Sequence, residues 1–110
     1  MHEVVREKLP EVVALCRSLP VRRLELFGSA TGDAFDPEAS DVDVLMEFDV
    51  PSSNYQEGFR YFHVYMDMKI GLEHIFDRSV DILSGTKWMR NPYFRDSVLE
   101  SKELLYASSD

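Results

Sequence analysis

Cysteine is all but missing: Cys16 is the only one in 110 residues, which excludes a disulfide framework and a thiolate metal cluster. Cationic charge is scarce too. Lys and Arg total 12 against 20 Asp and Glu, a formal net charge of −8. Proteins that grip DNA or RNA non-specifically depend on an excess of positive charge, so no direct nucleic-acid role is expected. A basic protein partner, or a site that holds cations, suits this balance. No run of about 18 apolar residues occurs, as a membrane-spanning helix requires. The first residues also lack the apolar centre of a signal peptide. The expectation is a cytoplasmic protein without membrane contact. What the chain does have is 45% apolar residues, enough for one core, and one domain is expected over residues 1–110.

Apolar residues at helical spacing run from Val4 and Val5 through Leu9, Val12, Val13, Leu15 and Cys16. Pro10 interrupts them, which predicts two short helices or a kinked one. Leu24 and Leu26 alternate with Arg23 and Glu25 in a strand over 21–27 that Gly28 ends. Residues 29–40 read as a loop. In 41–48, Val42, Val44, Met46 and Phe48 point one way and Asp41, Asp43, Leu45 and Glu47 the other, as in a strand. Residues 49–54 form a second loop. From 59 to 76 the spacing is helical, with one stripe at Tyr61, Tyr65, Met68, Leu72 and Ile75 and a second at Phe59, Phe62, Met66 and Ile70. Two apolar stripes imply burial on both sides, against the protein's own sheet and against either the first helix or another chain. Arg78 to Leu83 is a third strand. Asn91-Pro92 opens a final helix to which Val98, Leu99, Leu104, Leu105 and Tyr106 contribute. The order helix, strand, strand, helix, strand, helix gives an α/β (α+β) fold, a mixed sheet flanked by helices.

The chemistry concentrates in Leu26-Phe27-Gly28-Ser29, an eleven-residue spacer, and Asp41-Val42-Asp43-Val44-Leu45. A Gly-Ser directly after a strand lets backbone N–H groups and a hydroxyl come close to an anion. Asp41 and Asp43 are two residues apart on a strand, so their carboxylates leave one face about 6.6 Å apart. Like charges at that separation call for a cation between them. Hard oxygen donors suit Mg²⁺, which takes one or two carboxylates plus substrate phosphates. Asp81 interrupts an otherwise apolar strand, as a buried acid serving the same site would. Together these residues fit phosphoryl transfer. Asp41, Asp43 and Asp81 would hold one ion, or two about 3.5–4 Å apart. Ser29 and its loop would cradle the phosphates, and Asp81 would take the proton of the substrate hydroxyl.

Gly28-Ser29, the spacer, Asp41-x-Asp43 and the later Ser79-Val80-Asp81-Ile82 resemble the signature of the nucleotidyltransferase superfamily that includes DNA polymerase β, and in particular its minimal nucleotidyltransferases, the MNT proteins. The likeness runs from about Val21 to Tyr106. It implies that Gly28 and Ser29 bind nucleotide phosphate, that Asp41 and Asp43 are metal ligands and that Asp81 is the third acid. It further implies Mg²⁺ and ATP as cofactors. The implied partner is a HEPN-domain ribonuclease toxin held in a hetero-oligomer, neutralised by adenylylation of a tyrosine, by binding, or by both. The sequence departs from the family in a spacer of eleven residues where ten is commoner. It also has Ala30, Thr31 and Gly32 where many members place an Arg.

The other polar residues read more plainly. Asp33, Asp36 and Glu38 are turn formers, Glu47 is an edge charge, and His63 and His74 lack a matched third ligand. Cys16 is a small core residue. Trp88 and Met89 beside Lys87 and Arg90 are either a partner anchor or a lid on the core. Three functions compete: a protein adenylyltransferase, an antitoxin acting by occlusion alone, and a small-molecule modifier such as an aminoglycoside nucleotidyltransferase, for which no acceptor domain is visible.

Overall fold

The computed structural model describes residues 1–32, 35–48, 55–84 and 91–108, with side chains from Phe59 onward in the third segment. Helices α1 (Glu3–Arg6) and α2 (Leu9–Arg17) precede β1 (Val21–Phe27). A 3₁₀ turn over Gly28–Thr31 follows, then β2 (Val42–Phe48), α3 (Tyr55–Phe76), β3 (Val80–Leu83), α4 (Pro92–Ser101) and β4 (Glu103–Ala107). The strands form one sheet in the order β3-β2-β1-β4. β1 is antiparallel to both β2 and β4, and β2 is parallel to β3, with α3 as the crossover between them. The expected loop 49–54 and the Trp88 cluster lie outside the described residues, as does Asp33.

Pro10 resolves the first segment into two helices, because it sits in the first turn of α2, where its missing N–H leaves no bond unmade. The alternation of β2 likewise sets the layers. Val42, Val44 and Met46, with Leu24, Leu26, Val80 and Ile82, face a core completed by Val12, Cys16, Val64, Met68 and Leu72. Burial pushes the Cys16 thiol up to about 12, so it packs as a small apolar residue. On the opposite sheet face Phe27, Leu45 and Leu83 pack against Val98 of α4. Asp43 and Asp81 share this second face. Leu45, flanked by Asp43 and Glu47, is therefore buried rather than part of a wet surface.

One expectation about the elements needs correction. The final helix does not continue to Tyr106: it stops at Ser101, Lys102 turns extended, and residues 103–107 form β4 along β1. The free edge of β1 supplies backbone partners that a helix would have left unused, and Leu105 reaches the core from the strand. The first of the two candidates to cover the outward stripe of α3, the first helix, does not do so. Met68 and Leu72 are fully buried, whereas Phe59, Phe62 and Ile70 are 56%, 57% and 61% exposed. α2 meets α3 elsewhere, at Gly71, where a Cβ would stand 2.7 Å from Leu15 Cδ2. A glycine inside a helix lets the two axes approach there. Among the described residues no helix is long and apolar enough to cross a membrane.

Candidate active site

β1 delivers the chain to Gly28, which takes φ +76°. L-residues avoid this left-handed conformation, and the site forbids a side chain for a second reason. A Cβ at Gly28 would lie 2.5 Å from Asp43 Oδ2. The turn is thus shaped around the neighbouring carboxylate, and its backbone presents an open surface beside it. The 3₁₀ turn is closed by Thr31 Oγ1, which donates to the Gly28 carbonyl at 2.7 Å, and by the Gly32 N–H, which donates to the Ser29 carbonyl at 3.2 Å. Phe35 is buried, lies 4.7 Å from the His2 ring and is overlaid by the Arg78 guanidinium at 4.9 Å. Asp36 accepts from the Glu38 N–H at 2.9 Å, the turn-forming role its residue type suggests.

Strand pairing then assembles the acids. The parallel register sets Asp43 directly beside Asp81, just as the antiparallel register sets it beside Phe27. The Asp43 carboxyl is raised from 3.8 to about 6, first by burial, then by the charge of Asp81 and a hydrogen bond with it, and lastly by the charge of Asp41. Burial and the two neighbouring carboxylates all favour its neutral form. Asp81 is exposed, not buried as its apolar neighbours suggested, because β3 is the sheet's edge and its side chain opens to the cleft. Asp41 is also exposed and precedes β2 by one residue. Among the described residues no group of three or more His, Cys, Asp and Glu stands ready to hold a metal unaided.

A cleft of about 420 Å³ opens over this pair, lined by Gly28, Asp43, Tyr65, Lys69, Asp81 and Phe94, with Ser97 and Ser101 of α4 on one wall. Of the residues singled out in the sequence, Gly28, Asp43 and Asp81 therefore converge. Ser29 sits half-buried in the turn and Asp41 at the strand's start, and neither lines the cleft. Lys69 and Phe94 escaped the sequence reading, and Tyr65 was read only as part of an apolar stripe. Lys69 carried a signal: it lies four residues after Tyr65, so it shares the face of a stripe that is otherwise apolar. The Ser97 and Ser101 pair shows the same spacing on α4. Asn91 caps that helix, its side chain accepting from the N–H groups of Tyr93 and Phe94 at 2.9 and 3.3 Å. Phe94 meets Phe27 edge-on at 6.3 Å, which fixes α4 over the cleft floor.

The sequence profile of the nucleotidyltransferase domain matches residues 9–105. No curated protein matches the chain. Among solved structures, one described provisionally as a minimal nucleotidyltransferase shares 28% identity, covers 94% of this chain and 95% of its own, and gives a TM-score of 0.64. A toxin–antitoxin crystallised with AMP-PNP shares 16% identity, with 92% and 74% covered and a TM-score of 0.59. A mutant of the toxin–antitoxin MntA-HpeT shares 14%, with 92% and 74% covered and a TM-score of 0.58. At those identities the latter two speak for the fold. The profile spans most of the chain, and the chain belongs to the nucleotidyltransferase domain family: it is a small nucleotidyltransferase.

Proposed function

We propose that the chain transfers AMP from ATP, with Mg²⁺, to a hydroxyl of a partner protein, and that the partner is a HEPN-domain ribonuclease toxin modified on a tyrosine. The observation that carries the chemistry is the Asp43–Asp81 pair, set side by side in the sheet against an open glycine turn. Two carboxylates fit a hard divalent ion that completes its shell with phosphate oxygens and water. The residues that would hold it are Asp43 and Asp81, with Asp41 adding charge. When bound, Mg²⁺ supplies neutralisation of charge on the phosphate oxygens. The turn at Gly28 and Ser29 receives the phosphates through backbone N–H groups. In the step itself, the acceptor oxygen forms a bond to the α-phosphorus and pyrophosphate leaves. The hydroxyl proton passes to Asp81, the exposed member of the pair. The acidic total of −8 suits a basic partner, and the partner's class is suggested by the toxin–antitoxin structures that share the fold.

α-Labelled ATP and Mg²⁺, added to the chain together with whatever co-purifies with it, should mark the partner. The Asp41→Asn/Asp43→Asn double variant should lose about 100-fold or more of that rate. Equal labelling by the double variant would show that the acids are not the site. A second reading, neutralisation by binding alone, is favoured by the exposed stripe of α3 at Phe62 and Ile70. If the double variant still silences the toxin in cells, that reading prevails.

A further inference from the structure

The acids belong to strands, and something must hold β3 in register at the sheet's edge. In the parallel ladder the Val42 N–H donates to the Ser79 carbonyl at 3.1 Å. Alternate residues of β3 therefore bond inward, and both peptide groups of Val80 face away from β2. That side is not left to water. Lys69 Nζ donates to the Val80 carbonyl at 2.7 Å, and the Val80 N–H donates to Glu73 Oε2 at 3.0 Å. Lys69 and Glu73 are four residues apart on α3 and 3.5 Å from each other. They meet the backbone of one residue as a neighbouring strand would, and that residue directly precedes Asp81.

We propose that the Lys69–Glu73 pair is a clamp on the backbone of Val80 that holds Asp81 in register with Asp43, making both positioning residues for the acidic pair. This rests on the reading of Asp43 and Asp81 as the cation-holding residues. β3 is only four residues long and lies at the edge, where unmet backbone groups loosen a strand or invite a foreign one. A slip of one residue would turn Asp81 to the other face of the sheet. Lys69 also lines the cleft, so the alternative that it contacts nucleotide phosphate directly has to be separated from clamping. Glu73 makes that separation possible, since it completes the clamp without lining the cleft.

The experiment is titration of the purified chain with Mn²⁺ alone, followed by electron paramagnetic resonance, alongside KM for ATP in the labelling assay at saturating Mn²⁺. Lys69→Met and Glu73→Ala should each weaken Mn²⁺ binding on the order of 10-fold, the range seen when residues supporting metal ligands are removed. KM for ATP at saturating Mn²⁺ should stay near the wild-type value. Lys69→Arg and Glu73→Gln keep the donor and the acceptor and should restore Mn²⁺ binding, which separates clamping from a general loss of folding. Wild-type Mn²⁺ affinity in both Lys69→Met and Glu73→Ala would overturn the clamp. So would a raised KM for ATP in Lys69→Met that saturating Mn²⁺ does not correct, because Lys69 would then be a phosphate contact. Absence of Mn²⁺ binding in the wild type, or binding unchanged in Asp43→Asn/Asp81→Asn, would instead overturn the underlying assignment of the acids, and the clamp with it.

Discussion

A carboxylate that sheds its proton only near pH 6 destabilises the fold that surrounds it. Asp43 is such a group: folding lifts it from 3.8 to about 6 by burial and by the charges of Asp81 and Asp41. Between these two values the folded chain holds more protons than the unfolded one. Stability from this residue is therefore complete below about pH 4 and declines as pH rises through 6. Asp43→Asn removes the charge while keeping the shape. The variant should match the wild type near pH 3, below both values, and exceed it in urea-denaturation midpoint at pH 7.5, both without metal. Mg²⁺ should narrow the gap at pH 7.5 by stabilising the wild type alone, and EDTA should restore it. An Asn variant less stable than the wild type at pH 7.5 in EDTA would mean that the carboxylate is already compensated. The same residue explains Gly28, whose absent side chain leaves room for the Asp43 carboxylate. Function is placed here at a cost to stability.

Among the secondary-structure elements, the junction of α4 and β4 carries the most weight and was the least legible. Glu25 is 6% exposed on β1, and sequence alternation alone marked it as a surface residue opposite Leu24 and Leu26. Its carboxylate instead meets Lys102 Nζ at 3.1 Å and Arg23 Nε at 3.2 Å. Lys102 is the residue at which the helix stops. The pair thus ties the helix end to the central strand and opens the way for β4. Lys102→Met should cost about 1–3 kcal/mol, because a buried acid loses a partner. The double variant Lys102→Met/Glu25→Gln should recover part of that loss, as measured by denaturant midpoints. Full additivity of the two changes would show that they do not interact. The contrast with β2 is instructive. There a period of two and a flanking loop marked the strand, its buried face and the place of Asp43 from local pattern alone, whereas Asp41 falls one residue before the strand and outside the cleft. β4 has no such pattern: Leu104, Leu105 and Tyr106 are adjacent apolar residues that suit a helix end as well as a strand, and the free edge of β1 decides between them. Asp81 was legible as a residue but not in its exposure, which depends on β3 lying at the edge. The Lys69–Glu73 contact with Val80 was beyond reach, since it is made between an element's side chains and a strand brought beside it by the fold.

For the molecule as a whole, the sheet is covered on one face by α2 and α3 and on the other by α4, yet α3 keeps a second apolar stripe outward. The first helix was one candidate to bury it, and the structure removes that candidate, because Leu15 of α2 meets α3 at Gly71 while Phe62 and Ile70 remain more than half exposed. Exposed apolar side chains aligned on one helix face are costly in water and mark surfaces that another protein covers. The proposed partner is the expected occupant, and the stripe lies on the helix that also contributes Tyr65 and Lys69 to the cleft, with neither Phe62 nor Ile70 among the lining residues. Binding there and chemistry in the cleft should consequently be separable by substitution. Phe62→Ser/Ile70→Ser removes apolar surface that the folded chain does not use, so its thermal unfolding should shift by little, within the range of ordinary surface changes of about 0.5 kcal/mol. Its Mn²⁺ binding should also be unchanged, since neither residue lines the cleft. Co-purification of the partner should fall steeply, and labelling of the partner should fall with it at low concentration but recover as partner is added in excess. A complex that survives the double variant intact would place the docking surface elsewhere, and a loss of labelling that excess partner does not restore would tie the stripe to the chemistry rather than to capture.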